Sequence, residues 1–98
     1  MIVLNVLYHL KRDARDRFLA RVQAEGIDKA SRAEKGNLRY DYFTPVSGGD
    51  ELLLLEKWQD ASALALHAGQ PHFGKLKAIK DEYVISTEIE RFEIPDEA

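Results

Sequence analysis

The hydrophobic and polar positions change their period several times along the chain, and each change marks a predicted element. Residues 1–10 are mainly β-branched and aliphatic, which predicts a first strand with two largely apolar faces, in which the amide of Asn5 is exceptional. Apolar side chains then recur at helical spacing from near Ala14 onward. Gly26 is predicted to stop or kink this helix, and Gly36 to end the helical region.

The rest of the chain alternates strands with two further helices. Residues 37–44 alternate apolar and polar side chains, with Leu38 and Tyr40 on one face, and residues 45–50 have turn chemistry, so a hairpin is predicted. The third strand contains the continuous apolar run Leu52–Leu55, which is too apolar for a strand with one face in water. The remaining predicted elements are a helix over residues 61–68, a helix that begins at Pro71 and a last strand over Tyr83–Ile94.

Residues typical of helix termini support these boundaries. Asp13 followed by Asp16 resembles a capping box at the start of the first helix. Asp60 is a predicted N-cap, and Gly69 a predicted left-handed stop, of the helix that lies between them. Pro71 suits the first position of the next helix, because an N–H group there would have no intrahelical partner.

The order β-α-β-β-α-α-β predicts an α+β fold for a single domain of residues 1–98. The economical arrangement is a ferredoxin-like antiparallel sheet with helices packed on one face. The uncovered face would then be a larger apolar patch than monomers usually tolerate, because the first and third strands are apolar on both faces. We therefore predict a homodimer in which two sheets pack face to face. Residues 95–98 are predicted to be a frayed acidic end.

The composition narrows the class of protein without identifying a chemistry. The formal net charge of −3 and a pI near 5.6 argue against a protein that binds nucleic acid or an anionic membrane. The 98 residues include no cysteine, so neither a disulfide nor a cysteine-ligated metal is available. The sequence has no signal-peptide pattern and no apolar run near about 18 residues, and a cytoplasmic domain is predicted.

Four side chains are candidates for chemistry, and each also has a structural interpretation. His67 suits the C-terminal cap of its helix, whereas His72 lies in a first turn, where the helix dipole favours a neutral imidazole that can exchange a proton near pH 7. Their spacing is poor for two ligands on one helix face, and no carboxylate cluster is nearby, so no metal site is expected. Trp58 suits either the core or a ligand oxygen, and the Asn5 amide requires a backbone or a ligand partner. No phosphate loop or Rossmann fingerprint supports a flavin or nicotinamide cofactor.

Several short motifs together resemble the antibiotic biosynthesis monooxygenase family. They are the Glu-Lys-Trp of residues 56–58, the Ala-Leu-x-x-His of Ala63–His67, the Pro-His-Phe of Pro71–Phe73 and the segment Gly36–Phe43, which Glu34 precedes in a Glu-x-Gly pattern. The resemblance implies a dimeric α+β barrel, in which two ferredoxin-like sheets face each other. It also implies oxidation of a quinol or hydroxylated aromatic compound by O₂ without metal, flavin or haem.

The resemblance assigns roles to particular residues. Substrate oxygens would be hydrogen-bonded in a dry apolar cavity between the sheet and the helices, and a histidine would move the proton. The implied site residues are Asn5 and Trp58 as hydrogen-bond donors, His72 as the proton carrier, and Tyr40, His67 and Phe73 as substrate-binding residues.

The branches of the family differ at single residues, which leaves alternatives open. Polyketide oxygenases carry an asparagine where this chain has Leu54, and haem-degrading members carry a histidine where it has Lys77, so haem degradation is not expected. An isomerase of phosphorylated autoinducers shares the fold and would use His72 for proton transfer, with Arg39 or Lys75 for the phosphate. A dimer that binds a small ligand without turnover is the third alternative.

Overall fold

The structure is a computed structural model that describes residues 1–95, so residues 96–98 of the predicted frayed end, residues 95–98, lie outside the described range. Its strands form one antiparallel sheet in the order β2-β3-β1-β4, which confirms the predicted α+β, ferredoxin-like fold. The elements in chain order are β1 (Ile2–Leu10), α1 (Arg15–Ala24), α2 (Ile27–Arg32), β2 (Asn37–Phe43), β3 (Glu51–Trp58), α3 (Ala61–Ala68), α4 (Pro71–Tyr83) and β4 (Val84–Glu93).

The first helical region differs from the prediction at both ends. Ala14 is the N-cap of α1, and no side chain caps the helix there. Asp13 has a φ of 57°, and its backbone N–H donates to Oδ1 of Asp50 in the hairpin turn, at 3.1 Å. The predicted capping box is therefore wrong, because Asp13 belongs to a left-handed turn. The break at Gly26, whose φ is 67°, is confirmed, but α2 already ends at Arg32.

The termini of the later helices follow the sequence more closely. Asp60 is the N-cap of α3 and accepts a hydrogen bond from the backbone N–H of Ala63 at 2.9 Å, as predicted. Pro71 is the first residue of α4, also as predicted. Gly69 is not a left-handed stop, since its φ is −92°. None of the helices within residues 1–95 is long and apolar enough to cross a membrane.

Strand β2 departs from strict alternation at its start. Its pairing with β3 shifts between Asn37 and Arg39, which leaves Leu38 as the extra residue of a bulge. Leu38 is 56% exposed, whereas Tyr40 is buried. The expectation that these two side chains share one face is therefore wrong, because the extra residue changes the side to which the preceding side chains point.

The core lies between one face of the sheet and the helices. Ile2 pairs with Trp58 and Val6 with Leu54, so the even-numbered residues of β1 and β3 share the face that the helices cover. Residues of all four helices join this face in one buried cluster, among them Phe18, Ile27, Ala63 and Leu76.

The opposite face of the sheet carries the odd-numbered residues of β1 and β3. Leu7, Leu53 and Leu55 are only partly buried there. Phe92 of β4, which pairs with Val3, is 46% exposed. This face is the apolar surface through which the sequence predicts a homodimer.

A buried acid–base row beside an apolar cavity

A cavity of about 590 Å³ lies between the helix-facing side of the sheet and helices α3 and α4. Its size and its mainly apolar wall are typical of sites for small organic ligands. The apolar and aromatic part of the wall consists of Leu4, Val6, Tyr8, Tyr40, Ala61, Leu64, Ala65, Ala68, Phe73, Leu76 and Ile89, and the charged or titratable part of Glu56, His67, Lys77, Lys80 and Arg91.

Strand β3 brings Glu56 to this wall. Glu56 and Trp58 are two residues apart on the strand, so both side chains project toward the helices. The indole Nε1 of Trp58, which is fully buried, donates to Oε1 of Glu56 at 3.0 Å. This bond satisfies the polar atom of the indole and fixes the position of the carboxyl group.

Glu34 reaches the same region from the short segment between α2 and β2. Gly36 in this segment has a φ of 89°, and a Cβ atom there would lie 2.6 Å from Cβ of Ala63. Only a residue without a side chain therefore lets the segment pack so closely against the first turn of α3. The carbonyl of Gly36 accepts the N–H of Gln59 at 2.8 Å, which ties the segment to the end of β3.

His67 of α3 and His72 of α4 meet at the Glu34 carboxylate. Oε2 of Glu34 lies 2.5 Å from Nδ1 of His67 and 2.8 Å from Nε2 of His72. On its other side, Nε2 of His67 lies 3.8 Å from Oε1 of Glu56. The side chains thus form a continuous row, Glu56–His67–Glu34–His72, in which none is more than 13% exposed. We call these four residues the acid–base row.

The hydrogen bonds of the row favour one tautomer of His67 when Glu34 is ionised. An ionised carboxylate accepts hydrogen bonds and cannot donate them. With Glu34 ionised, Nδ1 of His67 and Nε2 of His72 therefore both donate to its Oε2 atom. A neutral His67 then carries its proton on Nδ1, and the lone pair of Nε2 is on the side of Glu56. This is the arrangement of an imidazole held by a carboxylate as a general base.

Burial changes the acidity of two groups in the cavity wall. It raises the pKa of the Glu56 carboxyl above its ordinary value of 4.5, and the indole N–H of Trp58 and the charge of His67 oppose this rise. Burial also raises the pKa of the Tyr40 phenol, with a contribution from the charge of Glu56. Within residues 1–95 no partner of the buried Tyr40 hydroxyl has good hydrogen-bond geometry, but the side chains of Tyr42 and Ser31 lie close enough to interact with it and to oppose the rise.

The row also contains a set of possible metal ligands. One ligand atom each from Glu34, His67 and His72 lies within 4.8 Å of the others. Ligand atoms about 2.0–2.2 Å from a shared tetrahedral ion would be roughly 3.3–3.6 Å apart. The contacts of 2.5 and 2.8 Å at Glu34 are shorter than this and have the lengths of hydrogen bonds. A cation would require the two imidazoles to move away from the carboxylate.

The structure gathers four of the six predicted site residues around a fifth, His67. Tyr40, His67 and Phe73 line the cavity. The centroid of the His67 ring lies 6.0 Å from that of Tyr40 and 5.2 Å from that of Phe73. Trp58, at 4.5 Å, and His72, at 5.8 Å, contact the same ring from outside the cavity wall. His67 is therefore the centre of the site.

Asn5 is the predicted site residue that the structure places elsewhere. Its partner in the β1–β3 ladder is Leu55, and both belong to the sheet face opposite the helices. It lines a shallow groove there with Leu7, Leu53, Glu88 and Glu90. The two hydrogen-bond donors implied by the family resemblance, Asn5 and Trp58, thus lie on different sides of the sheet.

Two functional residues, Glu34 and Glu56, are missing from the sequence-based set of site residues. The expectation that no carboxylate cluster lies near the histidines is wrong, since both carboxylates contact His67. The helix-cap role predicted for the His67 side chain is wrong for the same reason. A signal was present in the sequence, because Glu34 and Glu56 are the first residues of the Glu-x-Gly and Glu-x-Trp motifs. These motifs indicate the family, but their spacing along the chain does not show that the two carboxylates meet at His67.

Comparisons with known proteins agree with the motifs. The family model described as "Antibiotic biosynthesis monooxygenase" matches residues 1–78. A Bacillus subtilis protein named "Putative monooxygenase YcnE" is 38% identical over 73 residues, which cover 74% of this chain and 75% of that protein. The solved structure of Rv0793 from Mycobacterium tuberculosis is similar with a TM-score of 0.84 and 28% identity, over 99% of this chain and 97% of its own. PA3566 from Pseudomonas aeruginosa shares the fold, with a TM-score of 0.85 and 20% identity over 97% of this chain and 94% of its own.

Proposed function

Since this chain belongs to the antibiotic biosynthesis monooxygenase family, we propose that it is a monooxygenase that oxidises a quinol or a similar hydroxylated aromatic compound with O₂. The observation that carries the proposal is the position of His67. Its ring lies in the wall of an apolar cavity, and a buried carboxylate adjoins each of its two nitrogen atoms. An imidazole held in this way is suited to remove a proton from a phenol.

A quinol supplies all the electrons that this reaction requires. Insertion of one oxygen atom of O₂ into a ring C–H bond and release of the other as water need two electrons beyond those of the C–H bond. The quinol provides them by leaving as a quinone. Quinol and O₂ therefore give a hydroxyquinone and water, with no further reductant and no cofactor in the balance. The task of the protein is to bind the ring, remove the phenolic proton and exclude water.

The acid–base row supplies the path for the proton. Nε2 of His67 accepts the phenolic proton and the ring becomes an imidazolium. The carboxylate of Glu34 at Nδ1 and the carboxyl of Glu56 beside Nε2 then stabilise this charge. His72, which shares Oε2 of Glu34, is the outer member of the row. The electron-rich phenolate that remains in the cavity is the species that reacts with O₂.

The walls of the cavity are suited to hold the ring. Phe73 and Tyr40 flank the face of the cavity at which His67 lies. Tyr40 supplies an aromatic surface to the cavity wall, and burial keeps its hydroxyl protonated by raising its pKa. Trp58 acts through Glu56, since its indole N–H is already bonded to that carboxyl. Asn5 has no part in this site, because it lies across the sheet.

We also propose a homodimer, formed by the sheet face opposite the helices. This face carries partly buried leucines, Leu7, Leu53 and Leu55, together with the exposed Phe92. A second copy of the same face would remove these side chains from water, and closed two-fold symmetry is the common solution.

Labelled oxygen separates the proposed reaction from the other activities that the sequence left open. Under ¹⁸O₂, the monooxygenase gives a hydroxyquinone that carries one labelled oxygen atom, and it gives no product without O₂. Turnover without O₂ would instead point to an isomerase, and binding without product to a ligand-binding dimer. For the isomerase, the predicted phosphate ligand Arg39 is paired with Asp41 at 2.9 Å, and neither Arg39 nor Lys75 lines the cavity.

A further inference from the structure

Three cationic side chains line the cavity on the side of α4 and β4. Lys77 and Lys80 are three residues apart on α4, so they lie on one side of that helix, and Arg91 comes from the edge strand β4. The chain as a whole carries more acidic than basic residues, 17 against 14. The cluster of cations at the cavity is thus a local feature and does not reflect a basic protein.

These three cations lack close carboxylate partners. Neither lysine has a carboxylate oxygen within ion-pair distance among residues 1–95, and Arg91 reaches only Glu93, at 4.0 Å and largely exposed. Of the other arginines, Arg21, Arg32 and Arg39 lie within 3.1 Å of a carboxylate oxygen, whereas no lysine among residues 1–95 has such a pair. An exposed pair at 4.0 Å contributes little. The cationic wall of the cavity is therefore electrostatically unbalanced.

Lys80 is the least exposed of the three cations. It is only partly exposed, and its Nζ atom lies 5.6 Å from the centroid of the Tyr8 ring, which is buried in the same wall. Lys80 is also close enough to Glu56 for its charge to act on that carboxyl. Partial burial weakens the hydration of an ammonium group and strengthens its interaction with an anion.

The charges of the cavity wall are arranged with opposite character at its two sides. Glu56 is the one acidic residue in the described wall, and it lies beside His67 on the side of β3 and α3. The three cations lie on the side of α4 and β4, and apolar side chains such as Leu4 and Leu76 complete the wall. A ligand that fits this pattern has an apolar body, a hydroxyl group at one end and an anionic group at the other.

We propose that the cavity takes an amphipathic aromatic anion, whose carboxylate is bound by Lys80 with Lys77 and Arg91 while its hydroxyl group faces His67. The inference rests on the proposed function only for the fate of the hydroxyl group. The anion preference itself is a property of binding and does not require turnover. It narrows the substrate class from hydroxylated aromatics in general to those that carry a carboxylate at the end of the ring system remote from the hydroxyl.

Binding of matched naphthalenes, measured by titration calorimetry without O₂, tests this inference. The probes are 6-hydroxy-2-naphthoate, with its two groups at opposite ends, 3-hydroxy-2-naphthoate, with adjacent groups, and 2-naphthol, without a carboxylate. We expect 6-hydroxy-2-naphthoate to bind about tenfold or more tightly than 2-naphthol, since a charge-assisted hydrogen bond contributes at least this much. The isomer with adjacent groups should bind more weakly than the 2,6-isomer. Added salt should weaken the binding of the two hydroxynaphthoates and leave the binding of 2-naphthol unchanged.

Variants show whether the cations cause the preference. Lys80→Met keeps the apolar stem and should weaken the binding of 6-hydroxy-2-naphthoate much more than that of 2-naphthol, which removes most of the advantage of the acid. Arg91→Gln should lower the advantage of 6-hydroxy-2-naphthoate over 2-naphthol by a smaller factor. It provides a second test if Lys80→Met melts at a lower temperature. Lys75→Met is the control, because Lys75 is on the same helix but does not line the cavity.

Three results would overturn the inference: equal affinity for the acid and the alcohol, the same effect of Lys80→Met and Lys75→Met, or no binding of any of the three probes. The proposed function fails separately. Tight, Lys80-dependent binding of the acid by a protein that consumes no O₂ with any quinol would contradict the oxygenase and leave the anion site standing. Turnover of neutral quinols with no preference for acids would contradict the anion site and leave the oxygenase standing.

Discussion

Nδ1 of His67 lies 2.5 Å from Oε2 of Glu34, although the two residues are 33 positions apart in the chain. The contact joins the last turn of α3 to the segment that precedes β2. With Glu34 ionised, it places the proton of a neutral His67 on Nδ1, and it leaves Nε2 on the side of Glu56. The chemistry that we propose for this protein depends on this one contact more than on any other.

The carboxyl group of Glu56 should make stability depend on pH. Because burial raises the pKa of Glu56 in the folded state above 4.5, the neutral form is favoured by folding. Its contribution to the free energy of unfolding is therefore fully present below about pH 4.5 and is lost as the pH rises through the folded-state pKa. Chemical denaturation of wild type and Glu56→Gln between pH 4 and 8 checks this. We expect the variant to gain stability relative to wild type as the pH rises, and to lose activity by about 10² or more at pH 7.

A difference in stability that does not change with pH, or that changes in the opposite direction, would contradict this account of Glu56. The substitution is suited to the comparison because the glutamine oxygen can still accept the indole N–H of Trp58. The fluorescence of this single tryptophan should therefore remain close to that of the wild type.

The side chain of Asn5 should not take part in turnover. The role that the family resemblance implies for Asn5, as a hydrogen-bond donor to a substrate oxygen, would mean a loss of about 10²–10³ in turnover for Asn5→Ala, as for an oxyanion-hole donor. The structure removes the premise, since Asn5 lies on the other side of the sheet from His67 and Trp58. We expect Asn5→Ala to retain kcat within about threefold and to alter the melting temperature or the dimer affinity instead. Steady-state kinetics of Asn5→Ala beside Trp58→Phe would decide, and a loss of 10² for Asn5→Ala alone would show that the site is wrongly placed.

The fold was predictable to a large extent because its signals are local. Asp60 and Pro71 mark helix starts by their own chemistry, and changes of hydrophobic period located every strand. The errors have equally local causes. The bulge at Leu38 and the left-handed turn at Asp13 depend on backbone pairing with β3 and with Asp50, which the pattern of side chains does not encode.

The site was predictable only in part because its contacts are not local. No spacing in the sequence indicates that Glu34 lies beside His67 and His72, since packing of the Gly36 segment on α3 brings them together. The separation of Asn5 from the other predicted site residues has a different cause. Because β1 is apolar on both faces, alternation separates its odd and even residues but does not say which set the helices cover.

Gly36 should be necessary for both stability and activity. Gly36→Ala forces a Cβ atom into a residue with φ of 89° and against Ala63, and we expect a loss of about 2–4 kcal/mol in the free energy of unfolding. Gly48→Ala is the matched control, because Gly48 also has a positive φ, of 79°, but open space around it. Its expected cost is about 1–2 kcal/mol. Equal losses in urea denaturation would mean that contact with α3 does not matter.

The sheet face opposite the helices should hold the proposed dimer together. Leu53→Glu places a charge among the partly buried leucines of this face, and we expect sedimentation to show a shift from dimer to monomer. Leu66→Glu, at a position that is 66% exposed on α3, should leave the sedimentation coefficient unchanged. A wild-type protein that sediments as a monomer at all concentrations would refute the proposal.

The most direct test of the central claim is oxygen uptake by the metal-stripped protein with a panel of quinols, measured for wild type, His67→Gln and His9→Gln. His67→Gln removes the proposed base, and we expect its turnover to fall by about 10²–10⁴. His9 is the matched control, because it also contacts a glutamate, Glu88 at 2.5 Å, but lies on the other face of the sheet. Saturable uptake that persists in His9→Gln and is lost in His67→Gln is the predicted result. Uptake that is equal in all three proteins would show that His67 is not the base, and no uptake with any quinol would contradict the proposed oxygenase.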